Sequence, residues 1–199
     1  MDFKDIARSR RSIRQYQSLP VREGTIYELV EIIGLSVSAM NLQPWKIKVV
    51  SDQETKDKLF EHTFGQAQVK TCSHLLVLCA DVDYPVLIDR LDKAQAAADV
   101  PEEMRRRLRE MATSISGGMT PEQRLQWSRE QVHIALGNAV NGAYSLGLGA
   151  CPMTAFKPDE FARILELPPT VVPVALVSVG YSAEDGSPKL RQPAGAIML

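Results

Sequence analysis

The chain has 199 residues with 23 basic and 24 acidic side chains, a formal net charge of −1, and 45% hydrophobic residues. That length is enough to bury one substantial core and suits one domain better than two small ones. Near-neutrality excludes the broad basic field that general nucleic-acid or membrane-surface binding requires.

The opening MDFKDIARS mixes acid and base without an apolar run, so no signal peptide is expected, and no segment approaches the ~20 apolar residues of a membrane span. A short helix is predicted over 2–9, capped by Asp2, with Phe3, Ile6 and Ala7 at helical spacing. The stretch RSRRSIRQY at 8–16 follows, with four arginines in seven positions. If 10–14 are extended, Arg10, Ser12 and Arg14 point to one side, and Arg11 and Ile13 to the other. Two guanidiniums and a hydroxyl together suit a phosphate or carboxylate, which arginine grips through paired hydrogen bonds. A solvated basic stretch has the same charge pattern, so the pattern alone does not choose.

After Pro20, the spacing of Ile26, Leu29, Val30 and Ile33 predicts an amphipathic helix that gives out at Gly34. The polar loop 38–44 follows. Its Ser38, Asn41 and Gln43 serve as ordinary turn and cap residues, or as hydrogen-bonding groups for a ligand at a subunit interface. WKIKVV at 45–50 alternates as a half-buried strand with Trp45 in the core, and a helix over about 53–62 follows. HLLVLCA at 74–80 is short and continuously apolar, as in a strand covered on both faces.

The middle is predicted helical. Asp99 and Pro101 open one helix, in which Glu102–Arg106 and Glu103–Arg107 form ion pairs and Met104, Leu108 and Met111 a buried stripe. Thr120-Pro121-Glu122-Gln123 is a capping box opening the longest helix, which runs to about Leu146 and stops at Gly147. Leu125, Val132, Leu136, Ala139, Val140 and Ala143 form its apolar stripe. A short helix near 158–165 and a strand at 171–179 come next, with Pro173 pointing to a sheet edge or a strand beginning. Lys189 and Arg191 share one side of an extended segment, and the tail ends apolar, as tails docked elsewhere do.

Cys72, Cys79 and Cys151 lack CxxC spacing and His62, His74 and His133 are scattered, so reduced thiols in a cytoplasmic protein are expected, with no metal. GLG at 147–149 lacks the third glycine of a dinucleotide fingerprint and follows a helix, which disfavours a Rossmann site. No P-loop, GxSxG or HExxH motif occurs.

Taken in order, RRSIRQY (10–16), SVSAMNLQPWKIKVV (36–50), GQAQVKTCSHLLVLCA (65–80), VHIALGNAVNGAYSLGLGACPMTAF (132–156) and SPKLRQP (187–193) resemble the nitroreductase family of FMN-dependent oxidoreductases. The resemblance covers essentially the whole chain. It implies a single α+β domain over 1–199, a small mixed sheet surrounded by helices, and an intertwined homodimer with FMN at the subunit interface. It further implies Arg10, Lys189 and Arg191 on the FMN phosphate, with Arg11 and Ser12 nearby and Arg14 at the flavin N1/O2 edge. Ser38, Asn41 and Gln43 would reach the flavin from the other subunit. Gln66 or Gln68 would meet its pyrimidine edge, and the backbone of Met153, Thr154 and Ala155 would face N5 and O4. The chain departs from the family where Thr154-Ala155 replaces a common Glu-Gly pair.

The implied reaction is ping-pong hydride transfer from NADH or NADPH through flavin N5 to a small electrophile, a nitroaromatic or quinone, with no catalytic side chain. Specificity is expected from 90–130, with Met104, Met111, Met119 and Trp127 as pocket candidates or as ordinary core or surface residues. The rivals are other flavin chemistry on this fold (reductive dehalogenation or flavin breakdown) and a basic-segment nucleic-acid binder without enzymatic activity.

Overall fold

The structure is a computed structural model in which residues 2–199 are described. Asp2 caps α1 (Phe3–Ser9) by accepting a hydrogen bond from the Asp5 N–H at 2.8 Å. Next come α2 (Glu23–Gly34), β1 (Trp45–Val50), α3 (Gln53–Phe60), α4 (Gln68–Thr71) and β2 (His74–Asp81). The rest comprises α5 (Tyr84–Ala97), α6 (Glu102–Gly117), α7 (Pro121–Ser145), β3 (Gly149–Met153), α8 (Pro158–Ile164) and β4 (Val171–Gly180).

The strands form one sheet in the order β1-β2-β4-β3, every ladder antiparallel. The mixed character expected of the sheet is confined to one parallel bridge, Ser12 to Ala150. Every residue of β2 is buried because helices cover both faces. Leu76, Leu78 and Ala80 pack with α2 and α7 through Leu29, Ile33, Val132 and Ala139. The alternate residues Leu75, Val77 and Cys79 pack with Leu59, Val69 and Phe161 of α3, α4 and α8. This is the period of two turned into two cores. A third cluster joins Leu42 to Tyr84, Ile88, Leu91 and Ala112 of α5 and α6. Among the described residues no helix is long and apolar enough to cross a membrane, and no cluster of His, Cys, Asp or Glu could hold a metal ion.

The capping box at Thr120 and Gln123 forms as expected. Three features differ. Asp99 caps nothing: with φ +56° it closes the end of α5, and α6 starts after Pro101 with no side-chain cap. Asp92 of α5 draws Arg105 and Arg109 inward, so Glu102 pairs with those two and Arg106 pairs with Glu110 instead. Only the Glu103–Arg107 pair forms as predicted. The same rotation buries Ala112 and Ser116 and leaves Met104 and Met111 exposed. Pro173, the third residue of β4, sits near the beginning of its strand, one of the two expected placements. β3 pairs with β4 only from Leu176 onward, and the β2 register slips beside Pro173, so the missing N–H falls where one neighbour is absent.

Candidate active site

Residues 10–17 leave α1 as an extended arm laid on the end of the sheet. The Ile13 N–H donates to Ala150 O at 3.0 Å, Gln17 N–H to Tyr181 O, and Ala183 N–H to Gln15 O. Ile13 is buried, which turns Arg10, Ser12 and Arg14 the other way, as alternation predicts, while Arg11, expected on the Ile13 side only, borders both sides. Two side chains without a role in the sequence reading fasten this arm. The Tyr16 hydroxyl lies 2.8 Å from Ile13 O, 3.0 Å from Ser178 O and 2.8 Å from Ser178 Oγ. The Glu184 carboxylate accepts from the N–H groups of Arg14 at 2.5 Å and Gln15 at 3.1 Å. Both act on partners more than 160 residues away or on main chain, so no local pattern announces them.

Gly180 lets the Tyr16 ring lie flat, since a Cβ there would fall 2.8 Å from Tyr16 Cδ1 and 3.3 Å from the Ser73 nitrogen. Gly180→Val is therefore expected to lift the ring and destabilise the fold by about 1–3 kcal/mol through overpacking. A lowered urea midpoint at unchanged slope checks this.

The arm and the C-terminal segment enclose a cavity of about 230 Å³ lined by Arg10, Arg11, Ser12, Arg14, Ser187, Pro188, Lys189 and Arg191. The two ends of the chain thus bring together the cations that the sequence reading grouped. None of the five forms an ion pair with a carboxylate among the described residues. Lys189 donates to Ala7 O, and Arg11 to Arg8 O and Ser9 O at 3.3 and 3.2 Å, so these two close the C-terminal carbonyls of α1. Arg10 keeps a buried Nε with no hydrogen-bond partner. Burial, then the Arg191 charge, holds its guanidinium below its usual basicity. Burial, then Arg10, Arg191 and Arg11, does the same to the Lys189 ammonium. Crowded cations with an unsatisfied donor are the electrostatic signature of an anion site.

From Ala150 beside Ser12, the edge strand β3 leads to Met153 and the exposed Thr154 and Ala155. The Gln66 amide donates to Ala155 O at 2.6 Å and Thr63 O at 3.0 Å, with its own carbonyl oxygen free of protein partners among the described residues. Gln68 is buried and its amide faces Met153 Sδ at 3.1 Å. Of the two glutamines, Gln66 is the one placed at the surface beside 154–155. An elongated ligand can therefore run along this edge, its anion at the arginines and its far end near Ala155.

Loop 38–43 lies elsewhere. Trp45 at its end is level with Val172 of β4, and Ala150 is level with Val179, on opposite edges of the sheet. Strand spacing and rise put these diagonal corners about 25 Å apart. No hydrogen bond or ion pair joins Ser38, Asn41 or Gln43 to the basic cavity among the described residues. The chain alone does not bring the two halves of the expected site together. Of the methionines and tryptophan considered for the pocket, Met119 and Trp127 line a cleft of about 600 Å³ between α6 and α7, whereas Met104 and Met111 do not.

Comparison with known proteins bears on the family and the fold. The family model described as Nitroreductase family matches residues 7–181. A protein named NADH dehydrogenase from Thermus thermophilus is 38% identical over 199 residues, covering 100% of this chain and 96% of that one. FMN reductase [NAD(P)H] from Bacillus subtilis is 29% identical over 94% of this chain and 68% of its own length. A protein from Exiguobacterium sibiricum, solved in complex with FMN, superposes with a TM-score of 0.90 over 100% of this chain and 96% of that one, at 24% identity.

Proposed function

This chain belongs to the nitroreductase family, and from that premise we propose that it is an FMN-dependent oxidoreductase, oxidising NADH or NADPH and reducing a small electrophile such as a nitroaromatic or quinone. The observation that carries the proposal is the convergence of Arg10, Arg14, Lys189 and Arg191 on one concave site with no carboxylate partner. A phosphate dianion held there would give the unpartnered Arg10 Nε an acceptor and would offset the mutual repulsion of the cations. A concave cavity in a chain of net charge −1 is a poor nucleic-acid surface, which needs an exposed basic stripe.

In this reading Arg10, Lys189, Arg191 and Ser12 hold the phosphate, and Arg11 orders the segment beside it. Arg14 faces the N1/O2 edge, where a cation favours negative charge on the ring. Gln66 and the backbone of 153–155 border the ring's far end. FMN, when bound, would supply the hydride chemistry, and in this reading donor and acceptor would use the same site in turn, in a ping-pong order. The protein's task is to orient donor and acceptor and to exclude water.

The cavity of about 230 Å³ is smaller than the roughly 300–1,000 Å³ of complete ligand sites, so one chain supplies only part of the site. With loop 38–43 about 25 Å away across the sheet, Ser38, Asn41 and Gln43 reach the same flavin only from a second copy. We therefore include a homodimer in the proposal. The exposed tail residues Ile197, Met198 and Leu199 offer such a copy apolar surface. A cytoplasmic location, where nicotinamide donors and reduced thiols coexist, is part of the same reading.

Purified protein is expected to be yellow, or to become so with added FMN, and to bleach when NADH or NADPH is added without oxygen. A colourless protein that takes up no FMN overturns the proposal.

A further inference from the structure

Loop 38–43 is the most strained segment of the described backbone. Met40, Asn41 and Gln43 have φ of 55°, 54° and 48°, three non-glycine residues in the left-handed region within four positions. Such conformations persist only where the surroundings over-determine them, and they cluster where a chain must present groups in a set direction. Inside the loop, Ser38 Oγ accepts from the Gln43 N–H at 2.9 Å. The outside support comes from two helices. Arg90 of α5 donates from one nitrogen to Gln43 O at 2.8 Å and Leu42 O at 3.3 Å. Buried Gln131 of α7 accepts from the Ala39 N–H at 2.8 Å.

Arg90 has no carboxylate partner among the described residues, so its charge is directed at these carbonyls. The side-chain amides of Asn41 and Gln43, in contrast, make no hydrogen bond within the described chain, and Asn41 is exposed. The loop is thus gripped from beneath at Ala39 and at Leu42 and Gln43, with the amides between and beside the grips left free.

We propose that Arg90 and Gln131 are positioning residues: acting on the main chain only, they hold loop 38–43 in its strained form so that Asn41 and Gln43 meet the ring of a flavin seated on the partner subunit's arginines. This rests on the function proposed above. Their effect falls on the ring, while the arm acts on the phosphate 25 Å away within the same chain, about the diagonal of the sheet.

The test compares FMN with riboflavin, which has the same ring and no phosphate, by flavin fluorescence titration of the dimer. Gln131→Met and Arg90→Lys are each expected to raise the dissociation constants of both flavins by the same factor, roughly tenfold for loss of a buried or charge-assisted hydrogen bond. The double variant is expected to fall short of the product of the two factors, because both grips serve one loop. Should Gln131→Met fail to fold, Arg90→Lys, which keeps the charge and loses the fork geometry, decides alone. Unchanged affinities in the variants, or loss for FMN with riboflavin unaffected, overturn the assignment. Wild-type protein that binds neither flavin overturns the function itself, a distinguishable result.

Discussion

Arg10→Glu is expected to abolish FMN binding while leaving the protein as stable as before, or more so. The side chain sits among Arg11, Arg14, Lys189 and Arg191, and its basicity is lowered by burial and by Arg191. Reversing its sign removes a phosphate grip and places a carboxylate where the dianion would lie. Truncating one partner of a desolvated charge pair costs roughly 2–5 kcal/mol, so at least a roughly thirtyfold loss in FMN affinity is expected, and repulsion adds to it. In the free protein the new carboxylate gains cationic neighbours, Lys189 and Arg191 foremost, and relieves their repulsion, so the unfolding temperature holds or rises. Riboflavin, lacking the phosphate, is expected to lose far less. Equal loss of both flavins, or unchanged flavin content, would remove the phosphate from Arg10. Opposite signs for stability and binding separate this from ordinary misfolding.

Elements with a strong local period were legible before any coordinates. The i, i+3, i+4, i+7 pattern of Ile26 to Ile33 and the capping box at Thr120 named two helices with their ends. The apolar run at 74–80 named the central strand. The basic cavity was legible for a different reason: alternation put Arg10, Ser12 and Arg14 on one side, and the resemblance supplied Lys189 and Arg191 from the far end of the chain. The remainder depended on tertiary contacts. α5 carries a cap and a proline at Asp83 and Pro85, the same signal as Thr120 and Pro121, and was not separated from the helical middle. β3, GACPM, has no β-branched residue and carries a glycine and a proline, so only its ladder with β4 makes it a strand. The exposure of Met104 and Met111 follows from Asp92 rotating α6, a contact between two helices that a single-helix stripe does not contain. Tyr16, Glu184, Arg90 and Gln131 engage backbone groups or distant partners, and any side chain with the right donor could serve a carbonyl equally well.

Raising the pH from 8 toward 11 is expected to weaken the protein's stability markedly, through thiols that the mechanism does not use. Burial, offset in part by Lys56, pushes the Cys72 thiol up to about 11. Burial alone pushes Cys79 up to about 12. Both folded values lie above that of an unfolded cysteine, near 8.5. The stabilisation is therefore whole below about pH 8.5 and is lost as pH rises toward 11 and 12, because the unfolded chain releases protons that the folded chain keeps. At about 1.4 kcal/mol per unit, the two thiols together withdraw on the order of 5 kcal/mol by pH 11, comparable with the roughly 5–15 kcal/mol that holds a domain together. Burial also raises the Tyr16 phenol, which acts in the same direction beneath the arm. Urea midpoints at pH 8 and pH 10.5 should therefore diverge steeply, and Cys72→Ala with Cys79→Ala should flatten the difference even though each leaves a small cavity. An unchanged midpoint across that range would sink the idea. FMN release in alkali should follow loss of the far-ultraviolet signal. Release ahead of unfolding would point instead to Lys189, whose ammonium is held below its usual basicity by burial and by Arg10, Arg191 and Arg11.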